Sequence, residues 1–163
     1  MTARRKVPRA IAAIALFPAL AAAQRSTPTP TPAAPAQLLA PARLTAIGDS
    51  LSPAASRTAQ LAQGPGYTYA VTHRDSTGGL ELHAAWSDVF MIESGSATEL
   101  SGGRMLDARE ASPGEWRGGR VEGATRAALH PGDVVVIPAG TPHQMLLAPG
   151  ERVTYLAFKI AKP

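Results

Sequence analysis

Cysteine is missing from all 163 residues, so the fold contains no disulfide, and no cysteine follows the N-terminal apolar run to carry a lipid anchor. Stability has to come from packing, helped at most by a bound metal or a second copy. A long apolar run is missing as well: residues 10–23 are interrupted by Pro18 and fall short of the ~20 residues that span a bilayer. Acidic residues are missing before Gln24, whereas Arg4, Arg5, Lys6 and Arg9 precede the apolar run. That order matches the charged and hydrophobic regions of a secretory signal peptide, with Ala21, Ala22 and Ala23 as the small-residue cleavage site. The expectation is a signal peptide over 1–23, cleavage near Ala23, and a secreted or periplasmic protein. Arg4-Arg5 leaves both the general secretory and the twin-arginine route open. Cleavage would leave twelve basic residues against 12 acidic ones. A formally neutral mature chain has no clustered basic surface for nucleic acid and no charge to attract it to a membrane.

Residues 24–43 are rich in Pro, Thr and Ala, with too few large apolar groups to order themselves, and are expected to be a linker. A helical lead-in is expected over 44–66. Ser52 would cap a short helix through about Gln63, with Pro53 at its first position and Gly64-Pro65-Gly66 ending it. From Tyr67 to the C-terminus the pattern changes to short β runs separated by turn residues: 67–73, 80–83, 88–93, 97–101, 125–129, 134–137, 144–147 and 152–160. About eight strands in a hundred residues predict an all-β sandwich or jelly roll over 67–163. Residues 108–124, charged and glycine-rich around Trp116, read as a long excursion between the strands.

Near the C-terminus, Pro131-Gly132-Asp133 is turn chemistry, and 134–137 is a β-branched run that fits a strand with little exposed edge. Pro138, Ala139 and Gly140 break that strand. Alternation beyond the break puts His143, Met145 and Leu147 on one face. A histidine facing an apolar interior needs a partner, since an unpaired polar group there costs roughly 1–3 kcal/mol. A metal is one such partner. Alternation also places Glu81 with His83, and Asp88 with Phe90 and Ile92, on inward faces of two further strands.

The spacing Gly132, five residues, Pro138, one residue, Gly140, two residues, His143 resembles the second motif of the cupin superfamily, whose histidine is a metal ligand. The family's asparagine, four residues after that histidine, is Leu147 here. Glu81-Leu82-His83, Asp88 and Gly95 resemble the first motif, with Glu81 in place of its first histidine and Asp88 in place of its glutamate. The resemblance covers about the last hundred residues. It implies a cupin jelly-roll β-barrel with a short N-terminal helix ahead of it. It also implies one divalent metal (Fe, Mn, Zn, Ni or Cu) held by His83, Asp88, His143 and Glu81, with Glu81 as fourth ligand or general base, and a small oxygen-rich molecule as substrate or ligand. Oxygenase, isomerase and lyase chemistry and non-catalytic binding all occur on such a barrel. Trp86, Phe90, Met145, Leu147 and Tyr155 are candidates to line its cavity, and a homodimer is implied.

Gly48-Asp49-Ser50-Leu51 resembles the nucleophile block of GDSL-type esterases. Those enzymes also need an oxyanion-hole asparagine and a late Asp-x-x-His block. The chain has no asparagine anywhere and no such block, so Ser50 lacks the groups that would activate it. It is expected to lie in a turn.

Overall fold

The computed structural model describes residues 36–51 and 56–163. The expected signal peptide and most of the expected linker lie outside the described residues. Residues 37–163 form one compact unit. It opens with helix α1 (Pro41–Leu51) and continues through thirteen strands: β1 (Ser56–Gly64), β2 (Tyr67–Arg74), β3 (Glu81–His83), β4 (Trp86–Gly95), β5 (Ala97–Ser101), β6 (Arg104–Leu106), β7 (Arg109–Ser112), β8 (Glu115–Arg117), β9 (Arg120–Glu122), β10 (Thr125–Leu129), β11 (Val134–Ile137), β12 (His143–Leu146) and β13 (Val153–Ala161).

The strands form two antiparallel sheets, one in the order β1-β2-β13-β4-β11 and the other β10-β5-β12-β3-β8-β7, with β6 and β9 as a separate pair. One core joins the two sheets. Phe90, Ile92, Ile137, Val153 and Tyr155 come from the first, and Ala97, Leu129 and Met145 from the second. The alternation read from the sequence holds on β4, where Asp88, Phe90 and Ile92 are buried and Met91 is exposed.

Four expectations are corrected. Ser56–Gly64, expected as helix, is strand, paired residue by residue with β2 from Ser56↔Arg74 to Gly64↔Tyr67. The helix lies earlier, with Pro41 at its first position, where the missing N–H costs nothing; the expected cap, Ser52, is outside the described residues. Ala-rich local propensity lost here to tertiary pairing, because Gly64-Pro65-Gly66 is a hairpin turn, with Gly66 at φ 81°. The sheet of the barrel therefore begins before Tyr67.

The supposed excursion 108–124 is also folded. Strands β7 and β8 form a hairpin, and β8 continues the second sheet by pairing with β3, Glu81↔Arg117 to His83↔Glu115. Three- and four-residue strands separated by glycines carry too little periodicity to be seen in the sequence. Finally, β11 is an edge strand with Val134 and Val136 exposed, while Val135 and Ile137 face the core. Ser50, expected in a turn, sits in α1 and donates its hydroxyl to the Ile47 carbonyl at 2.7 Å.

Candidate metal centre

Both sheets contribute to one polar cluster. On the second sheet, β3 lies beside β12 with His143 opposite Glu81, so the inward residues Glu81, His83 and His143 are neighbours. On the first sheet, β4 lies beside β13 with Asp88 opposite Lys159. Across the barrel, His83 Nε2 is 3.2 Å from Glu81 Oε2 and 3.3 Å from Asp88 Oδ2, and His143 Nε2 is 3.2 Å from the same Asp88 oxygen. Lys159 Nζ is 2.8 Å from His83 Nε2 and 2.9 Å from Asp88 Oδ1. His83, Asp88 and His143 are buried, and Glu81 is partly exposed.

The outer nitrogens of both rings are anchored. His83 Nδ1–H donates to Glu115 Oε2 at 2.5 Å, and His143 Nδ1–H donates to the Thr141 carbonyl at 3.1 Å. Arg117 Nη2 in turn donates to Glu115 Oε2 at 3.0 Å. These bonds turn Nε2 of each ring toward the cluster, where the neutral ring offers its lone pair, the arrangement metal-ligating histidines use.

Burial alone would lower the His83 pKa, but hydrogen bonds to Asp88, Glu81 and Glu115 outweigh it, against the charge of Lys159, and raise it to about 9. Burial of Asp88 is likewise overcome, by His143, His83 and Lys159, which hold its carboxyl well below the usual range. Glu81 is lowered too: burial is outweighed by the His83 hydrogen bond and the charges of Arg117 and His143. When His83 is protonated its Nε2–H donates to these carboxylates; when it is neutral Nε2 accepts from Lys159.

Imidazole and carboxylate donors on a single point suit a divalent first-row cation. One ligand atom each from Glu81, His83 and His143 falls within 4.8 Å of the others. Asp88 adjoins both histidines, yet its second oxygen is committed to Lys159. The donor set, the anchored tautomers and the convergence fit a metal. The ammonium of Lys159 is the feature that competes with one.

A cavity of about 280 Å³ opens beside the cluster. Glu81, Asp88, His143 and Lys159 line it together with Phe90, Met145 and Tyr155; the other two candidates, Trp86 and Leu147, do not. Leu147 instead packs against the core. The Phe90 ring stands 6.3 Å from His143 and 5.0 Å from Tyr155 between ring centroids.

Sequence reasoning missed four residues. Lys159 was readable as inward, because it shares parity with Tyr155 on β13. Glu115 and Arg117 sit in the stretch read as a loop. Glu99, opposite Met145 in the β5–β12 register, is 1% exposed, and neither carboxylate oxygen has a hydrogen-bond partner among the described residues. Burial, with the charges of Asp88 and Glu81 acting against those of His143 and Arg74, raises its pKa to about 7.

No family model and no curated protein matches the chain. Solved structures do. A protein from Bacillus halodurans aligns over 72% of this chain and 79% of its own at 15% identity, with a TM-score of 0.53. One from Thermus thermophilus aligns over 69% and 90% at 16% identity, with a TM-score of 0.50. A cupin-2 domain protein from Rhodospirillum rubrum aligns over 66% and 61% at 19% identity, with a TM-score of 0.48. The two-sheet barrel, with the Gly132-to-His143 run forming β11, its turn and the start of β12, shares its fold with the Bacillus and Thermus proteins.

Proposed function

We propose that this chain is an exported cupin-fold protein that binds one divalent metal inside the barrel and acts on a small, oxygen-rich molecule admitted through the cavity. The observation that carries this reading is the convergence beside the cavity of two outward-anchored histidines and two carboxylates, with His83 Nε2 3.2 Å from Glu81 and 3.3 Å from Asp88 and His143 Nε2 3.2 Å from Asp88. In this reading His83, His143 and Glu81 hold the metal, and Asp88 balances its charge or takes a fourth position. A divalent cation there supplies Lewis acidity toward a ligand oxygen.

The chain's own residues do the rest. Glu115 and Thr141 fix the two rings. Phe90, Met145 and Tyr155 form the apolar side of the cavity and limit water. Glu81, the more exposed carboxylate, is placed to exchange a proton with a bound molecule when it is not a ligand. Oxygenase, isomerase and lyase chemistry are all compatible with this arrangement.

Lys159 favours a second reading, a non-catalytic module that binds a small molecule with or without metal. Its ammonium already supplies a cation to Asp88 and a donor to His83. Elemental mass spectrometry on the purified protein separates the readings at the first step. Near one equivalent of Fe, Mn, Ni, Cu or Zn, lost in both His83→Ala and His143→Ala while the barrel stays folded, supports the metal site. Full retention of metal by either variant overturns it. Incubation of the loaded protein under air with pooled sugars, uronates and phenolics then distinguishes turnover from saturable binding.

A further inference from the structure

The cavity has a second polar end that the metal cluster does not use. Arg74, the last residue of β2, lines it together with Tyr155. Arg74 Nε donates to the Tyr155 hydroxyl at 3.0 Å. That hydroxyl therefore accepts from the guanidinium and keeps its own proton to donate. No described carboxylate lies within ion-pair distance of Arg74, whereas Arg104, Arg117 and Arg120 each have one.

The position of the guanidinium is built in. It lies against the Cα of Gly78, where an added Cβ would stand 3.1 Å from Arg74 Cζ and Nη1. Gly78 is itself held from both sides of its backbone by β12: its N–H donates to the Met145 carbonyl, and its carbonyl accepts from Gln144 Nε2, each at 2.8 Å. A half-buried guanidinium without a carboxylate partner, beside a buried hydroxyl with a proton to give, forms a planar donor set that matches a carboxylate. The Tyr155 and Phe90 rings run from this end to His143.

We propose that Arg74 and Tyr155 form a carboxylate-binding subsite, and that the molecule this cavity takes is a small organic acid whose carboxylate lies on Arg74 while its other oxygens face the histidine cluster. The assignment of the histidine end to a metal rests on the function proposed above; the assignment of the carboxylate to Arg74 does not.

The test uses calorimetric titration with 3-hydroxybenzoate and its neutral isostere 3-hydroxybenzamide, on metal-loaded and on metal-stripped full-length protein. The acid should bind the wild type more tightly than the amide. Arg74→Gln should weaken the acid by about tenfold to a hundredfold, the value of one charge-assisted pair, and leave the amide unchanged. Tyr155→Phe should reduce the preference less, since it removes one donor and keeps the ring. His143→Ala and metal stripping should leave the preference for the acid in place, even if they weaken both probes. A preference that survives Arg74→Gln but disappears on metal stripping assigns the carboxylate to the metal and overturns the proposal. So does failure of the acid to bind at millimolar concentration. If no metal is ever bound, the metal reading falls, and the comparison of acid and amide on Arg74→Gln still decides this one.

Discussion

Lys159 Nζ stands 2.8 Å from His83 Nε2, so the chain supplies a cation of its own where its two histidines and two carboxylates converge. With the barrel free of metal, that ammonium offsets Asp88, which has 2% of its side-chain surface exposed. With a metal in the cluster, two cations would contend for one set of donors. The lysine side chain, 38% exposed, has a route out toward the cavity.

Lys159→Met keeps the aliphatic packing and removes the charge. Divalent metal should then bind about tenfold more tightly, the fold-change for ~1.4 kcal/mol of relieved repulsion. The metal-free variant should melt at a lower temperature than the metal-free wild type, because Asp88 loses its nearest counter-charge. Competitive titration against a chromophoric chelator measures the first effect and thermal unfolding in excess chelator the second. Unchanged affinity would mean that the ammonium leaves the cluster at no cost.

Metal uptake should be strongly pH-dependent. His83 is held protonated up to about 9 in the metal-free barrel, and only the neutral ring can ligate. Between pH 7 and pH 8 the apparent affinity should rise about tenfold, with one proton released per metal bound. The sign follows from the raised value: the proton stabilises the metal-free fold below the unfolded histidine's ordinary pKa, and that contribution is lost as pH rises through about 9. Calorimetry in buffers of different ionisation enthalpy counts the protons. Affinity that is flat over this interval would show that another group, not His83, controls entry.

Glu115 would act on a bound metal through His83. Its carboxylate accepts from Nδ1–H at 2.5 Å and is steadied by Arg117. Glu115→Gln removes the charge that makes the ring a better donor while keeping an acceptor in place, and should weaken metal binding about ten- to a hundredfold. Circular dichroism should show an intact barrel. A similar loss in Arg117→Gln, but smaller, is the expected signature of support one step further out.

The parts of this molecule that were legible in the sequence are those whose signal is local. The Gly132-to-His143 spacing encodes β11, its turn and the first residue of β12 within one continuous stretch. Period-two alternation over Asp88, Phe90 and Ile92 marks the inward face of β4. What was illegible depends on partners distant in sequence. Strand β1 has helix-like alanine content, and only pairing with β2 makes it extended. Glu115 acquires meaning only because β8 docks beside β3, a pairing that short glycine-separated strands do not announce. Lys159 lies between: its parity with Tyr155 was visible, but no motif singles it out.

Glu99 supplies a stability test that is independent of any metal. Its carboxylate is 1% exposed, unpartnered among the described residues, and its pKa is raised to about 7 in the fold, chiefly by burial. The folded state thus holds a proton that the unfolded chain releases near the ordinary glutamate value. Stability falls wherever the unfolded state binds fewer protons, so Glu99 should cost the fold progressively as pH rises from about 4.5 to about 7, and no further beyond. The full cost is on the order of 3 kcal/mol. Glu99→Gln, which imitates the protonated acid and cannot ionise, should abolish this slope. The stability difference between variant and wild type should therefore grow in the variant's favour across that interval and level off above it. Urea unfolding of both proteins at a series of pH values, in excess chelator so that metal linkage does not intrude, gives the difference directly. A constant difference from pH 4 to pH 8 would mean that Glu99 gains and loses its proton alike in the folded and unfolded chain, so that burial does not hold the proton on it.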